Sequence, residues 1–292
     1  MAISAYRFSR RGREMKVSDV VASVLAEHVK HVFCISGGAS LHLIHSIAAQ
    51  KGISYVCPQN EQAAGFQADA YARLAGFGCA LATSGPGATN LITPIATSYY
   101  DSIPVLYITG QQTRDRLSGD SGVRQLGFQE TPIVDIVRPI TKYAKTVMNG
   151  KYVEWELRRA IEIAREGRPG PVLIDLPDDL QREQIEREEM LSLPPKAYHE
   201  SDAPVDDILG ELLRAKRPLF IFGSAVGDVP AAREIMFTLG IPCVTTWGAL
   251  DRFGDYPLCF GGFGTHGVRY ANFAGQNADY IVTVGTRLDT KA

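Results

Sequence analysis

Five short apolar runs, separated by segments of helical periodicity, place the strongest constraint on the fold of this chain. They are HVFCIS at 31–36, ISYVC at 53–57, CALATS at 79–84, PVLYITG at 104–110 and PVLIDLP at 171–177. Runs that are continuously apolar, rather than alternating, are typical of strands buried on both faces of a parallel sheet. The pattern therefore predicts an α/β domain with a doubly wound parallel sheet over residues 15–182.

The segment 183–203 interrupts this rhythm with charged residues and the Pro194-Pro195 pair, which predicts a linker. Further apolar runs follow at 218–223, 241–246 and 279–285. They predict a second, Rossmann-like domain over 204–292, and we expect it to be incomplete because the chain ends shortly after the last run. Residues 1–14 are basic and lack the apolar core of a signal peptide, so we expect a loose N-terminal extension.

Composition limits the classes of function. The chain has 292 residues, of which 45% are hydrophobic and 21% charged, which predicts a globular protein of two domains. A net charge of −2 offers no electrostatic footprint for nucleic acid or an anionic membrane, and no stretch is long enough to span a bilayer. Five scattered cysteines without a C-x-x-C pair predict neither a disulfide framework nor a metal site, and fit a reducing cytoplasm.

Glu61 stands in the first turn of a predicted helix that is rich in small, uncharged residues. It follows Asn60, a candidate N-cap, so one interpretation is a carboxylate that complements the helix dipole. The other is chemical. We expect the small residues to pack closely on every side, so that Glu61 loses water and becomes suited to sharing a proton with a ring nitrogen.

The segment TSGPGATN at 83–90 directly follows an apolar run and opens a helix. A glycine turn at this place could present backbone N–H groups to a phosphate. The segment lacks the lysine of a Walker A loop, however, and has Asn90 where the G-x-G-x-x-G motif has its third glycine. It predicts instead that a flat group approaches the backbone, with Asn90 supplying amide hydrogen bonds, although a purely structural role for the glycines stays open.

Five features occur together and in order along the chain. They are Glu61 after an apolar run, TSGPGATN at 83–90, DSIPVLYITGQ at 101–111, RQLGFQE at 124–130 and GRPGPVLIDLP at 167–177. With them, the chain resembles the large (catalytic) subunit of acetolactate synthase and its relatives that depend on thiamine diphosphate. The resemblance begins near Lys16, runs to the last residue, and covers the family's N-terminal pyrimidine-binding domain and most of its central domain.

The resemblance implies a reaction and a set of site residues. The reaction is decarboxylation of a 2-oxo acid such as pyruvate, followed by carboligation to an acceptor carbonyl. In the family, the glutamate at the Glu61 position bonds to a pyrimidine ring nitrogen of the cofactor and favours its imino form. The implied catalytic residues are Glu61, Gln129, Gly37 and Gly38. The implied pyrimidine contacts are Thr83, Pro86 and Asn90, Asp101 is a further implied cofactor-binding residue, and Phe128 would form part of the substrate pocket wall.

The resemblance also implies a flavin dinucleotide, FAD, in the second domain, where glycine-containing turns follow the predicted strands. The implied residues are Gly223, Ser224, Ala225, Thr246, Trp247, Gly264, Thr265, His266, Gly285, Thr286, Arg287 and Asp289. Other members of the wider family bind no flavin or another adenine nucleotide, so this alternative stays open. We predict no metal ligands in this chain, because the family holds Mg²⁺ and the diphosphate in a third domain with G-D-G and Asn-Asn motifs that are absent here.

Two departures from the family leave the acceptor substrate open. Ser36 precedes the two glycines where the synthases commonly have proline, and Asn60 stands where they have histidine. We expect a homo-oligomer, at least a dimer, because the family site lies between two subunits, and we expect the diphosphate-binding domain to come from the rest of the protein or from another chain. The rival functions are simple decarboxylation of a 2-oxo acid and a non-catalytic, nucleotide-binding regulatory role.

Overall fold

The computed structural model describes residues 14–186 and 204–288, whose contacts group into two units on either side of the gap between these ranges. The strands of the first unit are β1 (Glu14–Lys16), β2 (His31–Cys34), β3 (Ser54–Val56), β4 (Gly78–Ala82), β5 (Val105–Gln111), β6 (Tyr143–Thr146), β7 (Val172–Pro177) and β8 (Gln184–Glu186). Its helices are α1 (Val17–Ala26), α2 (Leu41–Ala49), α3 (Glu61–Ala75), α4 (Pro86–Thr89), α5 (Ile92–Asp101), α6 (Ile133–Val137), α7 (Val153–Arg165) and α8 (Asp178–Gln181).

The main sheet of the first unit has six strands in the order β3-β2-β4-β5-β7-β6, and every neighbouring pair is parallel. From β2 the chain moves outward to β3 and then returns to the other side of β2 as β4. The direction of strand addition therefore reverses between β2 and β4, which is the topological switch point at which open α/β sheets bind ligands. Strands β1 and β8 form a separate antiparallel pair.

Helices cover both faces of this sheet, which confirms the predicted doubly wound α/β architecture. Alternate residues of β4 show the two layers, because successive strand side chains point to opposite faces. Cys79 and Leu81 pack in one core with residues of α1, α2 and α7. Ala80 and Ala82 pack in the other core with residues of α3, α5 and α6.

The small residues of α3 serve close packing against β4 and α5. A Cβ added at Gly78 would lie 2.1 Å from the Ala68 carbonyl oxygen, so the helix and β4 approach too closely for a side chain there. The opposite face of α3 exposes Phe66 and Leu74. The expectation that this helix packs closely on every side was therefore wrong, because its small residues face β4 and α5 and its remaining face is exposed.

The second unit contains the strands β9 (Pro218–Phe222), β10 (Cys243–Thr245), β11 (Cys259–Gly262) and β12 (Tyr280–Val284), and the helices α9 (Val205–Arg214), α10 (Val229–Leu239) and α11 (Arg269–Asn277). The strands form a parallel sheet in the order β11-β10-β9-β12. Numbered within the unit this order is 3-2-1-4, the beginning of a Rossmann sheet, with its switch point between β9 and β12. None of the helices in the two described ranges combines the length and apolar character that crossing a membrane requires.

Candidate active site

Loops that follow the strands of the first sheet surround a cavity of about 670 Å³. Its lining residues are Gly38, Ala39, Thr83, Ser84, Gln112, Thr113, Asp115, Arg116, Phe128, Gln129, Asp178, Asp179 and Arg182. These residues follow β2, β4, β5 and β7, so they meet at the carboxyl edge that contains the switch point. The cavity has the size typical of small-molecule sites, and it brings together four of the implied residues, Gly38, Thr83, Phe128 and Gln129.

Glu61 begins α3 and makes a side-chain contact across the sheet edge. Asn90 Nδ2 donates a hydrogen bond to Glu61 Oε2 at 2.9 Å. The capping role belongs to Asn60, whose Oδ1 accepts from the Ala63 N–H at 2.8 Å. Because Asn60 already caps the helix, the Glu61 carboxylate remains for Asn90 and for an external partner. The side chain is half-buried.

The turn between Thr83 and Asn90 brings the buried Gly87 beside this carboxylate. A Cβ added at Gly87 would lie 2.7 Å from Thr83 Cγ2 and 3.5 Å from Glu61 Oε1, so any side chain there would stand between the two groups. Glycine therefore lets the turn approach the carboxylate closely. A carboxylate and an amide side by side can both bond to the nitrogen atoms of a ring, so the chemistry of Glu61 and Asn90 fits the pyrimidine of thiamine diphosphate. Pro86 begins α4 in the same turn and is exposed.

The two adjacent glycines of the loop after β2 have different surroundings. A Cβ on Gly37 would lie 2.5 Å from Thr83 Cβ, whereas a Cβ on Gly38 would meet nothing within 4 Å. Side chains hold the loop: the Ala39 N–H donates to Thr83 Oγ1 at 3.2 Å, Gln181 Nε2 donates to the Ala39 carbonyl at 2.7 Å, and the Ser40 hydroxyl bonds to the backbone of Gly37. Gly37 is therefore required by packing, and Gly38 borders the open cavity.

Gln129 has an unusual backbone, with a φ of 61° that side-chain-bearing residues rarely adopt. It faces Gly85, whose φ is also 61° and whose added Cβ would lie 2.7 Å from Gln129 Cβ. Beside it, the Phe128 side chain is 79% exposed. A residue kept in a sparsely populated conformation at a cavity wall is a recurring feature of functional sites.

The structure does not bring Asp101 to this site. Arg73 Nη2 donates to Asp101 Oδ2 at 2.7 Å, and Arg73 Nε donates to Asp69 at the same distance. Arg73 lies in the last turn of α3, about 18 Å along the helix from Glu61 at 1.5 Å per residue. Asp101 ends α5 just before β5, so it lies toward the opposite edge of the sheet and closes an ion pair there.

Two of the implied glycines in the second unit are explained by loop packing. The loops after β9 and β12 meet at the switch point, where the Gly223 N–H donates to the Val284 carbonyl at 2.9 Å and the Ala225 N–H to the Gly285 carbonyl at 3.0 Å. A Cβ on Gly223 would lie 2.2 Å from the Gly285 carbonyl oxygen, and one on Gly285 would lie 2.2 Å from the Val226 nitrogen. Both glycines are therefore needed by the contact between the loops, whether or not a ligand binds.

The remaining implied residues of this unit lie in loops at the same carboxyl edge. The rings of Trp247, after β10, and His266, after β11, lie 4.9 Å apart, and Trp247 is 67% exposed. The side chain of Asn272 holds Gly264 through two hydrogen bonds of 2.8 and 2.9 Å. The other implied residues with described positions are Ser224, Thr246, Thr265, Thr286 and Arg287. Asp289 lies outside the described residues.

Comparison with known proteins decides the family. Residues 15–137 match the model of the thiamine pyrophosphate enzyme N-terminal TPP binding domain, and residues 205–292 match the central domain of the same enzymes. This chain belongs to the thiamine pyrophosphate enzymes. The expected family resemblance is thereby confirmed.

The curated relatives of this chain include acetolactate synthases of plants. Acetolactate synthase 2, chloroplastic, of Nicotiana tabacum is 37% identical over 287 residues, which is 94% of this chain and 42% of the relative. Acetolactate synthase 1, chloroplastic, of Zea mays is 35% identical over 272 residues, which is 90% of this chain and 42% of the relative. The chain thus spans less than half the length of the relatives it matches.

Sequence reasoning missed the charged part of the cavity wall in this thiamine pyrophosphate enzyme. Asp178, Asp179 and Arg182 line the cavity directly after β7. Arg114 donates to Asp179 from its backbone N–H at 3.0 Å and from Nε at 2.6 Å. Burial opposes the shift, but these hydrogen bonds hold the pKa of Asp179 below its usual value. The available signal was the position of these residues at the carboxyl end of a buried apolar run.

A buried carboxyl group behind the cavity was also missed. Asp175 accepts from Thr109 Oγ1 at 2.7 Å, from Gln111 Nε2 at 3.1 Å and from Thr146 Oγ1 at 3.0 Å. Burial raises its pKa to about 6, and the three hydrogen bonds limit that rise. The Gln111 amide also donates to the Thr131 carbonyl at 2.8 Å, so it joins Asp175 to the far end of the loop that carries Phe128. Among the residues described, no three His, Cys, Asp or Glu side chains are grouped so as to hold a metal ion.

Proposed function

We propose that the protein containing this chain uses thiamine diphosphate to decarboxylate a 2-oxo acid, with pyruvate as the first candidate, and to join the resulting acyl unit to an acceptor carbonyl. The observation that carries the proposal is the hydrogen bond from Asn90 to Glu61 beside the close-packed turn at Gly87. The match of this region to a TPP binding domain and the similarity to plant acetolactate synthases support it.

Glu61 would act on the cofactor side of the site. When bound, thiamine diphosphate supplies the electron sink that decarboxylation of a 2-oxo acid requires. Glu61 holds or releases a proton at Oε1, while Asn90 fixes the carboxylate through Oε2. Thr83, beside Gly87, lines the cavity, and the exposed Pro86 in the same turn would contact the ring. Positioned acid–base groups of this kind typically contribute about 10²–10⁴-fold to a rate.

Phe128 and Gln129 would act on the substrate side. Both line the cavity, with Gly38 bordering the open space between them and the switch point. The phenyl ring would exclude water from the reacting atoms, and the Gln129 amide can donate to or accept from a polar substrate group. Charged residues on the opposite wall, such as Asp178 and Arg182, make the cavity polar, so the acceptor carbonyl compound need not be a second pyruvate.

Several further features belong to the same proposal. Mg²⁺ would be held with the diphosphate outside this chain, by the rest of the protein or by another polypeptide. The assembly would be a homo-oligomer, at least a dimer, that completes the site. We place the domain boundary in 183–203, where the charged and proline-containing segment lies. We retain a reducing cytoplasm as the compartment, since all five cysteines are free thiols.

Product analysis of the complete enzyme tests the reaction. With thiamine diphosphate, Mg²⁺ and pyruvate, we expect release of CO₂ together with acetolactate, or a mixed carboligation product when a second carbonyl compound is added. Acetaldehyde as the sole product would identify a simple decarboxylase. Absence of CO₂ release from pyruvate and from other 2-oxo acids, despite bound cofactor, would favour the non-catalytic alternative.

FAD is proposed as a second cofactor, at the carboxyl edge of the second sheet. The observation that favours it is the exposed Trp247 ring beside His266, in loops that end Rossmann-ordered strands. Gly223 and Gly285 add nothing to this argument, because loop packing alone requires them. The purified complete enzyme should be yellow, and Arg287→Ala should weaken flavin binding by removing a charged contact. Colourless protein that takes up no added FAD would leave these loops to another nucleotide or to none.

A further inference from the structure

Glu130 makes an unusual number of hydrogen bonds for one side chain on a loop. Its Oε1 accepts from both the backbone N–H and the hydroxyl of Ser118 at 2.6 Å, and its Oε2 accepts from the Leu126 N–H at 2.8 Å. The Gln125 amide donates to the Glu130 carbonyl at 3.1 Å. Burial opposes the shift, but the hydrogen bonds keep the pKa of Glu130 below its usual value, so the group is an anion at neutral pH.

These bonds close the segment 118–126 into a ring, which we name the Glu130 loop. Apolar packing does not explain its shape, because Val123 and Leu126 are exposed. The bonds to Glu130 therefore hold much of its conformation. A carboxylate that receives several N–H and O–H donors is well suited to this task, since hydrogen bonds to a charged acceptor are stronger than neutral ones.

The same residue closes the turn that carries Phe128 and Gln129. The Glu130 N–H donates to the Gly127 carbonyl at 3.0 Å, which places Phe128 and Gln129 between the two ends of the turn. Gly127 is packed so closely that an added Cβ would lie 2.7 Å from Gln112 Cγ. One end of the turn is thus fixed by contact with a cavity residue, and the other end is fixed by Glu130.

We propose that Glu130 is a positioning residue that sets where Phe128 and Gln129 stand in the cavity, and that it acts on the acceptor step rather than on activation of the cofactor. The inference rests on the proposed function. Its hydrogen bonds in the structure all go to residues 118–127, and none goes to Glu61 or Asn90, which lie across the Gly85 turn. Disturbing Glu130 should therefore alter the substrate side of the site and leave the cofactor side unchanged.

The variant Glu130→Gln isolates the role of the second acceptor oxygen. Glutamine has the same length but presents one carbonyl oxygen and one NH₂ group, so either Ser118 or Leu126 would face a donor instead of an acceptor. Asp120→Asn is the matched control: it removes the same charge from the same loop, and Asp120 is exposed and makes no hydrogen bond to any residue that the structure describes.

Amide hydrogen exchange and product partition test the proposal together, both in the complete enzyme. In Glu130→Gln the amides of Ser118 and Leu126 should exchange about 10-fold faster. The ratio of carboligation product to free aldehyde from pyruvate should fall by about 10- to 100-fold, since displacement of positioning groups by about 1 Å has effects of this size. Affinity for thiamine diphosphate and the rate of CO₂ release should stay within about 3-fold of the parent, and Asp120→Asn should match the parent throughout.

Three results would overturn the inference: unchanged exchange at Ser118 and Leu126, an unchanged product ratio, or an equal fall in CO₂ release and carboligation. The last result would show that the substitution impairs decarboxylation, which precedes the acceptor step. A parent enzyme that does not turn over pyruvate or another 2-oxo acid would instead contradict the proposed function. In that case the exchange measurement still decides whether Glu130 holds the loop.

Discussion

The carboxyl edges of the two sheets are built by different means. At the edge of the first sheet, side chains tie the loops together: Asn90 binds Glu61, and both Thr83 and Gln181 bind Ala39. At the switch point of the second sheet, backbone groups do so, with Gly223 and Gly285 in direct contact, whereas the Asn272 side chain holds only the loop after β11, farther along that edge. Both edges have a switch point, so topology alone does not set this difference.

The difference suggests a division of tasks. Hydrogen bonds between side chains place carboxylate, amide and hydroxyl groups where they can hold protons and orient substrates. The conformation of such loops then depends on single residues. Backbone ties give a rigid edge that needs no reactive group, which suits the binding of a preformed cofactor. We expect the function of the first edge to be sensitive to substitutions that change a chemical group but keep the size of the side chain. We expect the stability of the second edge to be sensitive to substitutions that add atoms.

The largest effect is expected from Glu61→Gln, which changes chemistry at the first edge while preserving shape. The amide cannot exchange a proton with a ring nitrogen as the carboxylate does, so turnover of the complete enzyme should fall by about 10²–10⁴-fold. The free energy of unfolding should change little. Steady-state kinetics and urea unfolding measure both quantities, with Glu162→Gln on α7 as the control. Turnover within a few-fold of the parent would contradict the role given to Glu61.

Gly285→Ala should have the largest effect on stability, because it changes shape at the second edge. The new Cβ would meet Val226 N at 2.2 Å, and the residue would keep a φ of 64°. Overpacking and an unfavourable backbone together should lower the free energy of unfolding by about 2–4 kcal/mol. Gly227→Ala is the matched control in the neighbouring loop, because a Cβ there meets nothing within 4 Å. Equal urea midpoints for the two variants would show that the loops separate easily.

The sequence predicted the strands that carry an apolar run, including the edge strands β3 and β12, and missed the edge strands β6 and β11. Strands such as β5 and β7 are apolar on both faces, and each lies within a run recognised from composition alone. Strands β6 and β11 border their sheets, and their sequences YAKT and CFGG give no apolar run. Lys145 in β6 and the two glycines of β11 interrupt the apolar pattern, so these two strands carried no run that could be recognised.

The candidate site could be predicted in its residue types but not in its contacts. Glu61 and Asn90 were both singled out, yet periodicity could not pair residues 29 positions apart. Asp101 was included through its motif and lies elsewhere, because the end of α5 and the end of β4 are at opposite edges of one sheet. Glu130 was overlooked because its partners are mostly backbone groups of a loop, which no side-chain pattern records.

Asp175 offers a test behind the first edge, with an effect of intermediate size. Its folded pKa of about 6 lies above the usual value near 3.9, so the folded state binds the extra proton between these values. The contribution of Asp175 to stability is therefore present below about pH 4 and is lost as pH rises through about 6, by about 2–3 kcal/mol. Urea unfolding of the parent and of Asp175→Asn at pH 4.5 and pH 7.5 measures it. The difference between the two proteins should depend on pH, and a constant difference would contradict the raised pKa.

The smallest effect is expected from Thr83→Val, which removes one tie of the first edge and keeps its shape. Valine preserves the contact with Gly37 but leaves the Ala39 N–H without its acceptor, which should cost about 1 kcal/mol in the free energy of unfolding. Thr97→Val is the control, since that hydroxyl bonds only to the carbonyl of Thr93 on an accessible helix surface. Urea unfolding and exchange of the Ala39 amide should both distinguish the variants. If Thr83→Val behaves like Thr97→Val in both measurements, then Gln181 and Ser40 hold the loop after β2 without Thr83, and the first edge depends on fewer side chains than its hydrogen bonds suggest.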